Sequence, residues 1–262
     1  MIKKDTQGVT FAKGFTAAGV KAGIKKSGNL DVAVIYTKTQ AVVAGTFTQN
    51  KVAAAPVYVS KDVIATGTAH AIVANAGCAN ACTGQQGLDD AHKMAQIAAD
   101  ELGVNANDVI VGSTGVIGVN LPMDKLEAGI KDAVANLSAD GSGNAGRAII
   151  TTDTHSKSVT CEFELSGKTV RMGAIAKGSG MIRPNMATML CYITTDIAID
   201  QALLQKAVSG CVEKSFNMIS VDGDMSTNDM VIVLANGEAN NAKITEENAD
   251  YQIFFDKLMM LC

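Results

Sequence analysis

Residues 177–190, KGSGMIRPNMATML, open as a glycine-rich loop and close as the start of an apolar strand. One hydroxyl, Thr188, stands where loop passes into strand. A threonine hydroxyl is a poor nucleophile near neutral pH and needs a base beside it. If the bond before Thr188 is cut, the freed α-amino group, with a pKa of about 8, becomes that base. The hydroxyl makes such a cut itself where the loop is strained enough for it to attack the preceding carbonyl. Gly178, Gly180 and Pro184 are residue types that hold such a bend, and Ala187 puts little bulk beside the attacked carbonyl. From the residues alone, a threonine in this position more often simply begins a strand.

The rest of the chain sets bounds on that choice. Its 262 residues are 47% hydrophobic, enough for a sizeable core in one large domain or two small ones. With 22 Lys and Arg against 26 Asp and Glu, the net charge of −4 lacks the basic excess of a nucleic-acid binder. No run of about 18 apolar residues is present to span a membrane. The N-terminal MIKKDTQGVTFAKGF has lysines but no apolar core behind them, so it does not read as a secretory signal, and a cytoplasmic protein is expected. Six cysteines are spread through the chain; Cys78 and Cys82 form a C-x3-C pair with no second pair, and the three histidines are scattered. Free thiols and no metal are therefore expected.

Outward from the central stretch, periodicity alternates between strand and helix. LDVAVIYT (30–37) reads as a strand with QAVVAGTFT (40–48) as its hairpin partner, and HAIVANAG (70–77) as a further strand. Residues 88–103 place Leu88, Ala91, Ala95, Ala98 and Leu102 at helical spacing, with Gly103 as the stop. DVIVGSTGVIG (108–118) reads as a strand running into a glycine loop, and MDKLEAGIKDAVANL (123–137) as a helix behind Pro122. The glycine-rich 141–146 marks a change of pattern. SVTCEFEL, a Ser166-Gly167 turn and TVRMGAIA then predict a β-hairpin over 158–176. Strands follow at 187–196 and 230–236, with a helix between them at 200–216. The mixture predicts an α/β fold of layered mixed sheets with packed helices. The final ENADYQIFFDKLMMLC forms a broad apolar face that stops at Cys262 without a cap, which suggests a chain cut short.

Several motifs could carry chemistry. KGSG (177–180) fits neither phosphate-loop pattern. GSTG (112–115), after a strand, suits either a plain turn or a nest of N–H groups for an oxyanion. TTDTHSK (151–157) reads as capping and turn hydroxyls, and VDGDMSTND (221–229) lacks the spacing and closing Glu of a calcium loop.

Taken together, KGSGMIRPNMATML resembles the self-cleavage segment of the ornithine acetyltransferases of arginine biosynthesis. GFTAAGVKAGIK, FTQNKVAAAPV, NAGCANACTG, GSTGVIG, TTDT and VDGDMSTND also match, in the family's order along the whole chain. The resemblance implies a layered α/β fold akin to the N-terminal-nucleophile hydrolases. It implies acetyl transfer from N-acetylornithine to glutamate through a threonine acetyl-enzyme, with acetyl-CoA as an additional donor in some members and no bound cofactor. By position it assigns Thr188 as nucleophile and Ala187–Thr188 as the scissile bond. Thr114 and Gly115 become the oxyanion hole, and Thr151 and Lys177, with Thr188, the substrate contacts; a lysine suits a carboxylate as a compact point charge. Residues 1–187 would form the α chain and 188–262 the first part of a β chain, truncated relative to the family, in an assembly of two α and two β chains. Met218 stands where the resemblance leads one to expect a basic residue. The family's later glutamate, Asn and Thr/Ser contacts have no counterpart, so an inactive fragment is one alternative expectation. A related amidase or aminopeptidase that gives the acyl group to water is another.

Overall fold

The Ser166-Gly167 turn places both residues at positive φ, 48° and 78°, the twist a two-residue hairpin needs. It joins β6 (Lys157–Leu165) to β7 (Lys168–Lys177) in full antiparallel register. This hairpin is part of one mixed sheet in the computed structural model, which describes residues 7–182 and 189–262 and the backbone of 2–4. Among the described residues the remaining strands are β1 (Ile2–Lys4), β2 (Phe15–Val20), β3 (Val32–Phe47), β4 (Thr68–Cys78), β5 (Val109–Val116), β8 (Leu190–Thr195) and β9 (Met230–Ala235). The order across the sheet is β1-β6-β7-β8-β9-β3-β4-β5, with β2 paired to the first half of β3. Two pairs, β4/β5 and β8/β9, are parallel. Strands β8 and β9 thus lie between β7 and β3, in the interior of the sheet.

Six α-helices cover it among the described residues: α1 (Ala55–Thr66), α2 (Gly84–Leu102), α3 (Met123–Ala135), α4 (Ser142–Ile149), α5 (Gln201–Glu213) and α6 (Ala249–Leu261). Helices α5 and α6 bury Leu204, Val208, Phe254 and Leu258 against β6 to β9. Helices α2 and α3 bury Ala91, Met94, Leu126 and Ile130 against β3, β4 and β5. A central cluster, including Ile35, Val43, Ile72, Ile175, Tyr192 and Ile232, lies between the two halves of the sheet with α4 at its edge. Layered mixed strands with packed helices match the expected class.

Three local readings are corrected. Residues 32–47 are one 16-residue strand, not a hairpin. TKTQ has none of the Gly, Asn or Asp that a tight turn requires. The chain instead absorbs a register shift against β4 between Tyr36 and Ala41 while β2 pairs its first half and β9 its second. The glycine-rich 141–146 belongs largely to α4, whose Ala145, Ala148 and Ile149 are buried. Close packing explains its composition: a Cβ on Gly141 would lie 1.7 Å from the Ala17 carbonyl oxygen. GSTG lies inside β5 rather than after it, paired in parallel with β4. The α6 start is capped, with the Asn248 side chain accepting from the Tyr251 amide at 3.0 Å.

Candidate active site

The parallel strands β4 and β5 end together, and their last residues define the floor of a cleft. Gly77 and Gly115 are register partners and both have positive φ, 111° and 135°. A Cβ on Gly115 would lie 2.4 Å from the Gly77 carbonyl carbon and 2.6 Å from the Cys78 nitrogen, so only glycine lets the strand ends approach this closely. Gly112 has a different reason: a Cβ there would meet the Tyr192 hydroxyl at 2.2 Å.

Buried amides fix these strand ends. Asn75 Nδ2 donates to the Cys78 carbonyl at 2.9 Å and its Oδ1 accepts from the Ser113 hydroxyl at 2.6 Å. Asn228 Nδ2 donates to the Ala79 carbonyl at 2.6 Å and to the Ser113 carbonyl at 2.9 Å. The result is a cleft of about 1280 Å³ that opens beside Thr114, Gly115, Thr151, Thr152 and Lys177.

Lys177, the last residue of β7, is 3% exposed, and its Nζ donates to Thr114 Oγ1 at 3.0 Å. An ammonium has donors only, so Thr114 accepts and keeps its own O–H proton for a further acceptor. Burial pulls the Lys177 pKa below the ordinary lysine value; the charges of Asp153 and Asp229 oppose that pull, and Lys157 adds to it. Asp153, from TTDT, is linked to the same strand end: its Oδ1 accepts from Lys157 Nζ at 2.5 Å and from the Gly178 amide at 2.8 Å. Burial alone would push its carboxyl up, but these two hydrogen bonds and the charges of Lys157 and Lys177 hold it below the ordinary range.

A second lysine reaches the cleft through a different device. The Asp31 carboxylate, fully buried, accepts from the Ala22, Ile24 and Lys25 amides at 2.6, 2.6 and 2.9 Å and shapes the 22–25 loop around itself. Lys25 then donates to the Leu30 and Ala148 carbonyls at 2.6 and 3.1 Å. Its pKa is lowered by burial, with Asp31 opposing and Lys177 reinforcing the shift. Lys26 and Lys125 also line the cleft, and no aspartate or glutamate does so among the described residues. A chain of net charge −4 therefore has a lysine-lined cleft, an arrangement that attracts carboxylates.

The structure brings together four of the sequence-derived site residues, Thr114, Gly115, Thr151 and Lys177. Ala187 and Thr188 lie outside the described residues. Their flanks are placed: Met181 lines the cleft, and Leu190 is the register partner of Lys177. Sequence reasoning assigned no role to Lys25, Asp31 or Asn228. Lys25 and Lys26 sit in GIKKSGN, a lysine pair in a glycine turn, and Asn228 sits in STND; each pattern also fits an ordinary surface turn. Thr151 and Thr152 of TTDT, read as caps and turns from residue type alone, are exposed on the cleft wall. Cys78 is on the wall too, but burial raises its thiol pKa and its Sγ–H donates to the Val119 carbonyl, so it stays a thiol. The six cysteines are free, and no cluster of potential metal ligands occurs among the described residues. No described helix is long and apolar enough to cross a membrane.

The layered α/β arrangement is similar to that of a solved protein described as a variant of the Ntn hydrolase fold. The L-aminopeptidase D-Ala-esterase/amidase of Ochrobactrum anthropi superposes over 97% of this chain and 84% of its own, with a TM-score of 0.57 at 12% identity. At that identity the likeness concerns the fold. The chain itself belongs to the ArgJ family, whose pattern matches residues 16–262. The arginine biosynthesis bifunctional protein ArgJ of Symbiobacterium thermophilum is 52% identical over 253 residues, covering 96% of this chain and 63% of the relative. That of Bacillus subtilis is 47% identical over 262 residues, covering 100% of this chain and 64% of the relative. The chain thus spans under two thirds of the length of these curated relatives. The ornithine acetyltransferase of Mycobacterium tuberculosis, solved with ornithine, has a TM-score of 0.65 at 38% identity and covers 72% of this chain and 99% of its own.

Proposed function

We propose that this chain is the part of an acetyltransferase of arginine biosynthesis that carries the nucleophile, and that it passes acetyl from N-acetylornithine to glutamate through Thr188. The observation that carries the reading is the lysine-lined cleft built around the Lys177–Thr114 hydrogen bond. Donor and acceptor amino acid both bear a carboxylate, which a buried ammonium attracts. The family's relatives, and a solved relative holding ornithine, support the substrate class.

The chemistry takes two stages. In the first, Thr188 Oγ attacks the Ala187 carbonyl carbon, the C–N bond breaks, and the amine of Thr188 is freed as an ester forms. Water hydrolyses the ester, leaving an Ala187 carboxylate and a free hydroxyl. In the second stage the Thr188 amine takes the hydroxyl proton as Oγ attacks the acetyl carbonyl of N-acetylornithine, and that proton leaves with the ornithine amine. The amine of glutamate then attacks the ester in a ping-pong cycle. Thr114, polarised by Lys177, donates to the oxyanion in both stages, with Gly115 beside it. Acetyl-CoA serves the same cycle as an alternative donor, no bound cofactor is required, and the cut chains pair as two α and two β in the cytoplasm.

Intact mass tests the first stage: the 262-residue chain should yield pieces of 187 and 262 − 187 = 75 residues. After incubation with N-acetylornithine the 75-residue piece should gain one acetyl group, which glutamate removes. Thr188→Ala should remain whole and unacetylated. Thr114→Ala should slow acetylation on the order of a hundredfold with little change in half-saturating donor. Lys177→Met should weaken both substrates. Release of free acetate regardless of glutamate would instead assign a hydrolase. A Thr188→Ala protein that still cleaves at this bond would sink the nucleophile assignment.

A further inference from the structure

The acidic segment 221–229, which lacks the pattern of a calcium loop, touches the chain on both sides of residues 183–188. On the upstream side the Asp222 carboxylate accepts from the Met181 amide at 2.5 Å and from the Ile182 amide at 2.9 Å. The Val221 amide donates back to the Ile182 carbonyl at 2.8 Å. On the downstream side Asp229 Oδ1 accepts from the Met189 amide at 2.7 Å, and the Met230 amide donates to the Met189 carbonyl at 2.9 Å. Asp229 is itself anchored, since its carbonyl accepts from the Thr48 amide at the end of β3.

Met181 adds a mechanical clue. Its φ is 63°, in the left-handed region where a side chain is strained. Two successive N–H groups in such a bend form a concavity that suits an anion, and Asp222 occupies it. An exposed carboxylate with these donors costs little to place, and it holds a backbone bend that methionine would not otherwise keep. Asp229, by contrast, is 1% exposed and fixes its partner from within the protein.

We infer that residues 221–229 act as a template for chain cleavage, with Asp222 and Asp229 as positioning residues that pin the two flanks of the segment containing Ala187–Thr188. The inference rests on the self-cleavage reading above. Fixing both flanks of a peptide segment lowers the entropic cost of an attack by one of its hydroxyls on the preceding carbonyl. Neither aspartate touches the reacting atoms in this account.

Two measurements test it. In a time course of intact mass, Asp222→Ala should slow cleavage on the order of tenfold to a hundredfold while its melting temperature stays at the wild-type value. Asp222→Asn, which keeps an acceptor oxygen without the charge, should fall between the two. Amide hydrogen exchange in the uncleavable Thr188→Ala background supplies the second arm. There Asp222→Ala should speed exchange at Met181 and Ile182 but not at Met189, and Asp229→Ala, which removes the acceptor of the Met189 amide, should do the reverse. An Asp222→Ala protein cleaving at the wild-type rate would overturn the template, as would unchanged exchange at all three amides. A wild-type chain that never cleaves, with the exchange pattern as expected, would sink the self-cleavage reading and leave the two clamps standing.

Discussion

Under α5 and α6 the sheet is covered by apolar side chains: Phe163, Met172, Ile193 and Val233 below, Leu204, Val208, Phe254 and Leu258 above. Where β4 and β5 finish, the same sheet is held by polar groups: Asp31, Asn75, Ser113 and Asn228 are all nearly inaccessible, and each is satisfied by backbone or side-chain partners. The apolar region is stabilised in proportion to buried area and has no single indispensable contact. In the polar region each group that loses its partner leaves a buried donor or acceptor, whose cost is concentrated at one atom. The contrast separates a supporting half, where volume matters, from a working half, where geometry at named atoms matters.

The largest effect should come from the working half. Gly115→Ala forces a Cβ to 2.4 Å from the neighbouring strand's backbone, in a conformation that L residues rarely adopt. It should cost more than about 4 kcal/mol in denaturant unfolding or prevent folding altogether. A soluble variant with wild-type stability would remove the argument that glycine closes the strand ends. Next, Phe254→Ala in the supporting half should cost about 3–5 kcal/mol, whereas Phe254→Leu, which keeps most of the volume, should cost much less. Asn228→Ala should cost about 1–3 kcal/mol, because the Ala79 and Ser113 carbonyls lose a donor at the edge of a wet cleft. If Asn228→Leu, closer in volume, proved milder than Asn228→Ala, packing would govern both halves and the contrast would fail.

A smaller effect should appear as pH dependence. The Asp153 carboxyl sits below its ordinary range in the folded protein, so its contribution to stability is present above the unfolded carboxylate pKa and is lost as pH falls through the lower folded value. Asp153→Asn should flatten that acid-side loss, seen in melting temperatures collected from neutral to acidic pH. A variant with the wild-type slope would mean that other carboxylates dominate. At the bottom of the scale stands the exposed Lys131–Glu127 pair on α3. Glu127→Gln should leave the melting temperature unchanged within error.

How far the sequence reveals these halves depends on where the deciding interactions lie. The β6–β7 hairpin and the end of α2 at Gly103 were legible because their turn chemistry is local. Helix α1 was not: APVYVSKDVIAT is rich in β-branched residues, and burial of Val57, Val59 and Val63 overrides that preference. The long β3 was misread and the α4 helix missed because their partners, β9 for one and β2 for the other, lie far away in the chain. The cleft shows the same division. Thr114, Gly115, Thr151 and Lys177 follow from motif resemblance. Lys25 enters only because Asp31 gathers three amides, and Asn228, just before β9, only because it reaches Ala79 beyond β4 and Ser113 in β5. Neither link has a sequence pattern of its own.

The interior position of β8 and β9 has a consequence for how the protein comes apart. A break between Ala187 and Thr188 leaves one piece contributing β1 to β7 and the other contributing the two strands between β7 and β3. Before the cut, refolding is a unimolecular event, indifferent to dilution. After it, the native state is a complex of two polypeptides, and its recovery from denaturant scales with their concentration. A single proteolytic event would therefore convert a fold that re-forms at any dilution into one whose recovery depends on the concentration of two partners.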